Sequence, residues 1–110
     1  MQARETTRVL IVEDNPADVK FFTYALKLVE ARPLETTIAR DGREAVDFLL
    51  DPKTEPPDLV ILDKKLLKSN GTELLQVLKI TNHLYGLPVV AFGSAADDAI
   101  LKQITNANFE

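Results

Sequence analysis

Pro57-Asp58-Leu59-Val60-Ile61-Leu62-Asp63-Lys64-Lys65-Leu66-Leu67-Lys68-Ser69-Asn70-Gly71 is the stretch whose reading decides the fold. Leu59 to Leu62 form a short, wholly apolar, partly β-branched run without alternation, which is the pattern of a parallel strand covered on both faces. Asp63 then stands where that strand meets solvent. Ligands in open α/β sheets bind at the carboxyl ends of strands, so an acid placed there is a functional candidate. An Asp after a strand is also an ordinary turn former and helix cap.

Outward from this strand the chain alternates strand and helix patterns. Arg8 to Val12 is a second buried-strand run, and it ends in Glu13-Asp14-Asn15-Pro16. Asn15 is a good N-cap, Pro16 fits the first helical position and Asp18 favours the positive helix terminus, which predicts a helix from about Pro16 to Glu30. Val19, Phe22, Leu26 and Val29, with Ala25 beside them, give it one apolar stripe. Arg32-Pro33 breaks that helix, and the polar run Leu34 to Ala39 reads as an edge strand. Asp41-Gly42 supplies a turn before a short amphipathic helix carrying Ala45, Val46, Phe48, Leu49 and Leu50. Lys53 to Pro57 is a charged, proline-bearing loop.

Beyond the central strand, Gly71 eases the backbone into a helix over Thr72 to Thr81, with Leu74, Leu75, Val77 and Leu78 as its apolar side. Leu87 to Phe92 is a third buried strand with Pro88 near its start, where a missing donor is tolerated, and Gly93-Ser94 closes it. A further helix is expected over Asp97 to Thr105, with Ile100, Leu101 and Ile104 inward, followed at Asn106 to Phe109 by the approach to a last strand.

Composition narrows the function. The 110 residues, 45% hydrophobic, fit one domain over residues 1–110 with a single core. A formal net charge of -4 argues against nucleic acid phosphates as a partner. The chain has no cysteine, which fits a reducing compartment and excludes a thiolate nucleophile or metal site. The lone His83 reads as a surface residue of a helix-to-strand connection. No apolar run reaches the length of a membrane span, and the polar Met1 to Thr6 lacks the core of a signal peptide, so a cytoplasmic protein with no membrane partner is expected.

Alternating strands and helices imply right-handed crossovers and a doubly wound α/β parallel sheet. In the flavodoxin-like order 2-1-3-4-5, the first and third strands are neighbours, and Glu13, Asp14 and Asp63 converge at the switch point. Three clustered carboxylates repel one another unless a cation joins them. Oxygen ligands without His or Cys select a hard ion, and a shallow acidic site suits Mg²⁺. Helix capping explains Asn15 and Asp18 but leaves the neighbouring acids over.

At these residues the chain resembles the receiver domain of two-component response regulators. The matching pieces are Val9-Leu10-Ile11-Val12-Glu13-Asp14-Asn15, Asp41-Gly42-Arg43-Glu44-Ala45, Pro57 to Asp63, Gly71 eight residues beyond that Asp, and Leu87-Pro88-Val89-Val90. The resemblance implies a CheY-like protein that takes a phosphoryl group from a sensor histidine kinase or phosphotransfer protein onto Asp63. It further implies that Glu13 and Asp14 help hold Mg²⁺, with the backbone carbonyl of Lys65 completing the protein ligands. Such a protein is a signalling phosphoacceptor rather than an enzyme, at most catalysing its own phosphorylation and dephosphorylation. A carboxylate nucleophile needs a cation to neutralise charge on the incoming phosphoryl group.

Three departures mark this chain. Receiver domains usually carry Thr or Ser five residues beyond the Pro of the fourth strand, where Gly93 stands, and Ser94 is the adjacent hydroxyl that substitutes if the strand end shifts by one residue. Leu67 occupies the place of a usual Pro, which is expected to loosen the loop after Asp63. The sequence closes at Glu110, before the family's Lys at the end of the fifth strand and before its fifth helix. The expectation is a domain truncated there, whose uncovered edge self-associates or leaves the chain much less stable than a version continued through a fifth strand and helix. The rival reading is a phosphorylation-independent interaction module of receiver shape, for which Gly93 and the missing Lys speak. A flavodoxin is disfavoured because Glu13-Asp14 would repel a phosphate, and a haloacid-dehalogenase-type phosphatase because Asp63-Lys64-Lys65 lacks the second acid.

Overall fold

Leu10 and Ile11 are adjacent in one strand and point to opposite faces of it, yet each is 0% exposed. That is the mark of a strand covered on both sides. In the computed structural model, which describes residues 5–93, this strand is β1 (Thr7–Val12). It is followed by α1 (Pro16–Val29), β2 (Leu34–Ala39), α2 (Gly42–Leu50), β3 (Leu59–Asp63), a single tight turn over Lys64–Leu66, α3 (Leu67–Tyr85) and β4 (Val89–Phe92). All strand pairs are parallel, in the order β2-β1-β3-β4. This is the expected flavodoxin-like order over its first four strands. The helix expected at Asp97 to Thr105 and the approach to a fifth strand lie outside the described residues, as do Ser94 and Phe109.

The strand periodicity sorts the core into two layers. Leu10 and Val12 of β1 and Val60 and Leu62 of β3 join the larger cluster, with Ala45 and Val46 of α2 and Leu74, Leu75 and Leu78 of α3. The intervening Val9, Ile11 and Ile61 form a smaller cluster, against which Phe22 and Leu26 of α1 pack. Each large side chain so buried contributes about 1.5–3 kcal/mol. β2 is an edge strand, as its polarity predicts, and only Ala39 of it is buried.

Several expected boundaries move. Val29, placed on the α1 stripe by periodicity, is the last residue of that helix and is 82% exposed. Gly71 lies inside α3, which begins at Leu67 rather than Thr72 and runs to Tyr85 rather than Thr81. An interior glycine costs a helix about 1 kcal/mol, and burial of Leu67 in the larger cluster outweighs it. His83 is exposed as expected, but it stands in the last turn of α3 rather than in a connection. The left-handed turn that ends this helix belongs to Gly86, at φ 65, whose N–H donates to the Asn82 carbonyl at 2.7 Å. The Asn82 amide donates in turn to the Leu87 carbonyl, fixing the entry to β4. β4 itself is less buried than its sequence promises. Val89 is in the core, whereas Val90 is 46% exposed.

Candidate functional site

Strand register places the acids. Val12 pairs with Leu62 of β3 on one side and with Ala39 of β2 on the other, so Glu13 and Asp63 leave adjacent strands at nearly the same level. The Glu13 N–H continues the ladder by donating to the Ala39 carbonyl at 2.9 Å. Glu13 and Asp63 are each 1% exposed, while Asp14 is exposed. One carboxylate oxygen from each of Glu13, Asp14 and Asp63 falls within 4.8 Å of the others. The fold thus brings together the three acids expected from the sequence.

Local turns hold two of them. Glu13 Oε1 accepts the Asn15 N–H at 3.0 Å, and Asp63 Oδ1 accepts the Lys65 N–H at 3.0 Å. Their second oxygens, Glu13 Oε2 and Asp63 Oδ2, are buried and have no hydrogen-bond partner. A buried unpaired carboxylate oxygen is costly, and a cation relieves that cost. Burial is the main cause that pushes the Glu13 carboxyl up from 4.5 to about 7; the Asn15 N–H opposes it, and Asp63 and Asp14 add to it. Asn15 caps α1 by accepting the Ala17 N–H on its side chain at 2.9 Å, so the helix start and the acid pair are built from consecutive residues. An open cleft of about 600 Å³ adjoins the acids on the α1 side, lined among others by Asp14, Lys20, Arg40 and Glu44.

The loop after Asp63 is tied rather than loosened. The Leu67 N–H, which a proline would lack, is directed at the carbonyls of Lys64 and Lys65. A carbonyl has two lone pairs, so the Lys65 oxygen keeps capacity for a further partner. The Lys65 side chain, which sequence reasoning passed over, returns to the site with its Nζ 3.5 Å from Asp63 Oδ2. Asp63 first and Glu13 second raise its pKa above the ordinary lysine value of 10.5. Glu-Asp spacing gave no signal for this contact, because it depends on the tight turn over Lys64–Leu66. Gly93, the residue in place of a hydroxyl, follows β4 with φ 150, a region L side chains rarely adopt. Ser94 lies outside the described residues.

Proteins of known structure share this fold. The family model described as "Response regulator receiver domain" matches residues 9–110. The polar-differentiation response regulator DivK of Brucella ovis is 35% identical over 101 residues, spanning 89% of this chain and 77% of that relative. Among solved structures, the bacteriophytochrome response regulator AtBRR superposes with a TM-score of 0.67 at 35% identity, covering 91% of this chain and 76% of that one. The Mn²⁺-bound form of response regulator Rcp1 superposes with a TM-score of 0.70 at 29% identity, covering 94% and 78%.

Proposed function

The chain belongs to the response regulator receiver domain family, and from that membership we propose that it accepts a phosphoryl group on Asp63, with Mg²⁺ held at Glu13, Asp14 and Asp63, and so switches its contacts with other proteins. The observation that carries the proposal is the pair of buried oxygens without a hydrogen-bond partner, Glu13 Oε2 and Asp63 Oδ2, beside an exposed third acid. The residues fit a hard divalent cation: all donors are oxygens, and the Lys65 carbonyl is an additional neutral one. The Mn²⁺ of the Rcp1 structure is of the same ion class. When bound, the cation supplies positive charge against the carboxylates and the incoming phosphoryl oxygens.

This chain's own groups do the rest. Asp63 Oδ1 is fixed by the Lys65 N–H, which leaves Oδ2 to attack phosphorus. A bond forms between Oδ2 and phosphorus while the bond from phosphorus to the donor's imidazole nitrogen breaks, and the ring, protonated on its other nitrogen, leaves as a neutral imidazole. Burial excludes water from all but the open side of the carboxylate, which slows loss of the group once transferred. The donor is a sensor histidine kinase or phosphotransfer protein, and the protein works in the cytoplasm. Among the described residues no helix is long and apolar enough to cross a membrane.

Incubation of the full chain with Mg²⁺ and a small phosphodonor, followed by intact mass and peptide mapping, tests the reading. A phosphoryl adduct on the peptide containing Asp63 is expected. An adduct elsewhere, or none in wild type, overturns it. One observation favours a second reading: Gly93 brings no hydroxyl to the strand end, which suits a receiver-shaped module that binds its partner with or without phosphate.

A further inference from the structure

Lys65 joins the acid cluster by its side chain as well as its backbone. Its Nζ lies 3.5 Å from Asp63 Oδ2, one of the two buried oxygens with no hydrogen-bond partner. The lysine side chain is itself 52% exposed and the Asp63 side chain 2%, so one partner is fixed and the other is free to swing into solvent. We propose that the Lys65 ammonium is an exchangeable internal cation of this site: it balances the Asp63, Glu13 and Asp14 carboxylates when no divalent ion is bound, and it yields its place when one arrives. The inference rests on the reading that these acids hold Mg²⁺.

Charge counting supports it. Three carboxylates within 4.8 Å of one another cannot all be ionised without an adjacent positive charge. The ammonium lies against Asp63 beside the three clustered acids, so it and a divalent ion compete for the same carboxylates. Its long stem, anchored just two residues beyond Asp63, lets it leave without moving the backbone carbonyl of Lys65. The consequence is a raised threshold for metal: uptake must displace a tethered competitor, and an ammonium set free remains close to where phosphoryl oxygens would lie.

The test compares the 110-residue chain with Lys65→Gln and Lys65→Arg, neither of which removes the Lys65 carbonyl. Calorimetric Mg²⁺ titration should show Lys65→Gln binding roughly twofold to fivefold more tightly than wild type, the range expected for losing one partly exposed ion pair. Lys65→Arg should stay near wild type. In chelator, Lys65→Gln should melt at a lower temperature than wild type, and saturating Mg²⁺ should close that gap. Lys79→Gln, the same charge change at an exposed position in α3, should alter neither readout. Equal Mg²⁺ affinity in wild type and Lys65→Gln, or an equal shift in Lys79→Gln, would overturn the role of Lys65 alone. A wild-type chain that takes up no Mg²⁺ would overturn the metal reading and this inference with it.

Discussion

Glu13 and Asp63 repeat one local device: in each, one carboxylate oxygen accepts the backbone N–H two residues further along at 3.0 Å, and the other oxygen is buried with no hydrogen-bond partner. Neighbouring parallel strands set the two devices side by side, since Val12 and Leu62 are register partners. The result is a pair of half-satisfied acids aimed into one site. Such a pair is unstable alone and suited to a cation.

The first consequence is a pH dependence of folding in the absence of metal. Glu13 titrates near 7 in the folded chain against 4.5 as its ordinary value, so between those values the folded state holds a proton that the unfolded state has lost. The stability this proton contributes is fully present below about 4.5 and is lost as pH rises through about 7. At most it amounts to about 3 kcal/mol. Urea melts in chelator should show wild type weakening across that window and Glu13→Gln much less so. A flat wild-type profile would show that the Glu13 carboxyl is not destabilised by its burial. Added Mg²⁺ should reverse the trend at the upper end, because it binds the ionised form.

Asp14 and Asp63 should separate metal binding from fold stability. Asp14 is exposed, so Asp14→Asn should change metal-free stability by no more than about 0.5 kcal/mol while weakening the Mg²⁺ titration clearly. Asp63→Asn should abolish the phosphoryl adduct. It should also change metal-free stability less than Lys65→Gln does, since it removes the buried carboxylate that the Lys65 ammonium otherwise balances. An Asp14→Asn chain with wild-type Mg²⁺ affinity would remove Asp14 from the ligand set.

Leu67 shows what the site requires from the core. It is 1% exposed in the larger cluster, and its N–H closes the turn after Asp63. Leu67→Ala keeps that N–H and loses the packing, at an expected cost of about 2–5 kcal/mol. Leu67→Pro loses both side-chain packing and donor, although the position tolerates proline as the first residue of α3. Phosphorylation at low temperature should survive Leu67→Ala better than stability does. If Leu67→Ala melted like wild type, the start of α3 would not be anchored as described.

Much of this was readable from residue order because it rests on local rules. Unbroken apolar runs gave both central strands, Asn15-Pro16 gave the start of α1, and acids at two strand ends gave the cluster. What escaped depends on contacts between distant or turning segments. Nothing local distinguishes a helix that starts at Thr72 from one that starts at Leu67, because burial against β3 and α2 decides it. Val29 fits the α1 stripe by spacing, but it is the helix's last residue and is exposed. The Lys65 side chain reads as one more surface lysine until the turn over Lys64–Leu66 brings it back to Asp63.

Gly93 decides between a responsive and an unresponsive domain. Asp63 pairs in register with Phe92, so the residue after Phe92 stands immediately beyond the level of the phosphoacceptor candidate. At φ 150 that residue is in a region that glycine adopts freely and a residue with a Cβ does not. Installing the family's hydroxyl by Gly93→Thr therefore has two opposed effects. It strains the strand end by about 1–3 kcal/mol, and it offers a donor to a charged phosphoryl oxygen worth about 1.5–3 kcal/mol. Gly93→Ala carries the strain without the donor. Both variants should accordingly be less stable than wild type when unphosphorylated, and only Gly93→Thr should regain stability on phosphorylation. Denaturant melts of the four states, each variant with and without phosphodonor, read this directly. Equal behaviour of the two variants after phosphorylation would mean that the strand end does not face the phosphoryl group, and would favour a module indifferent to phosphate.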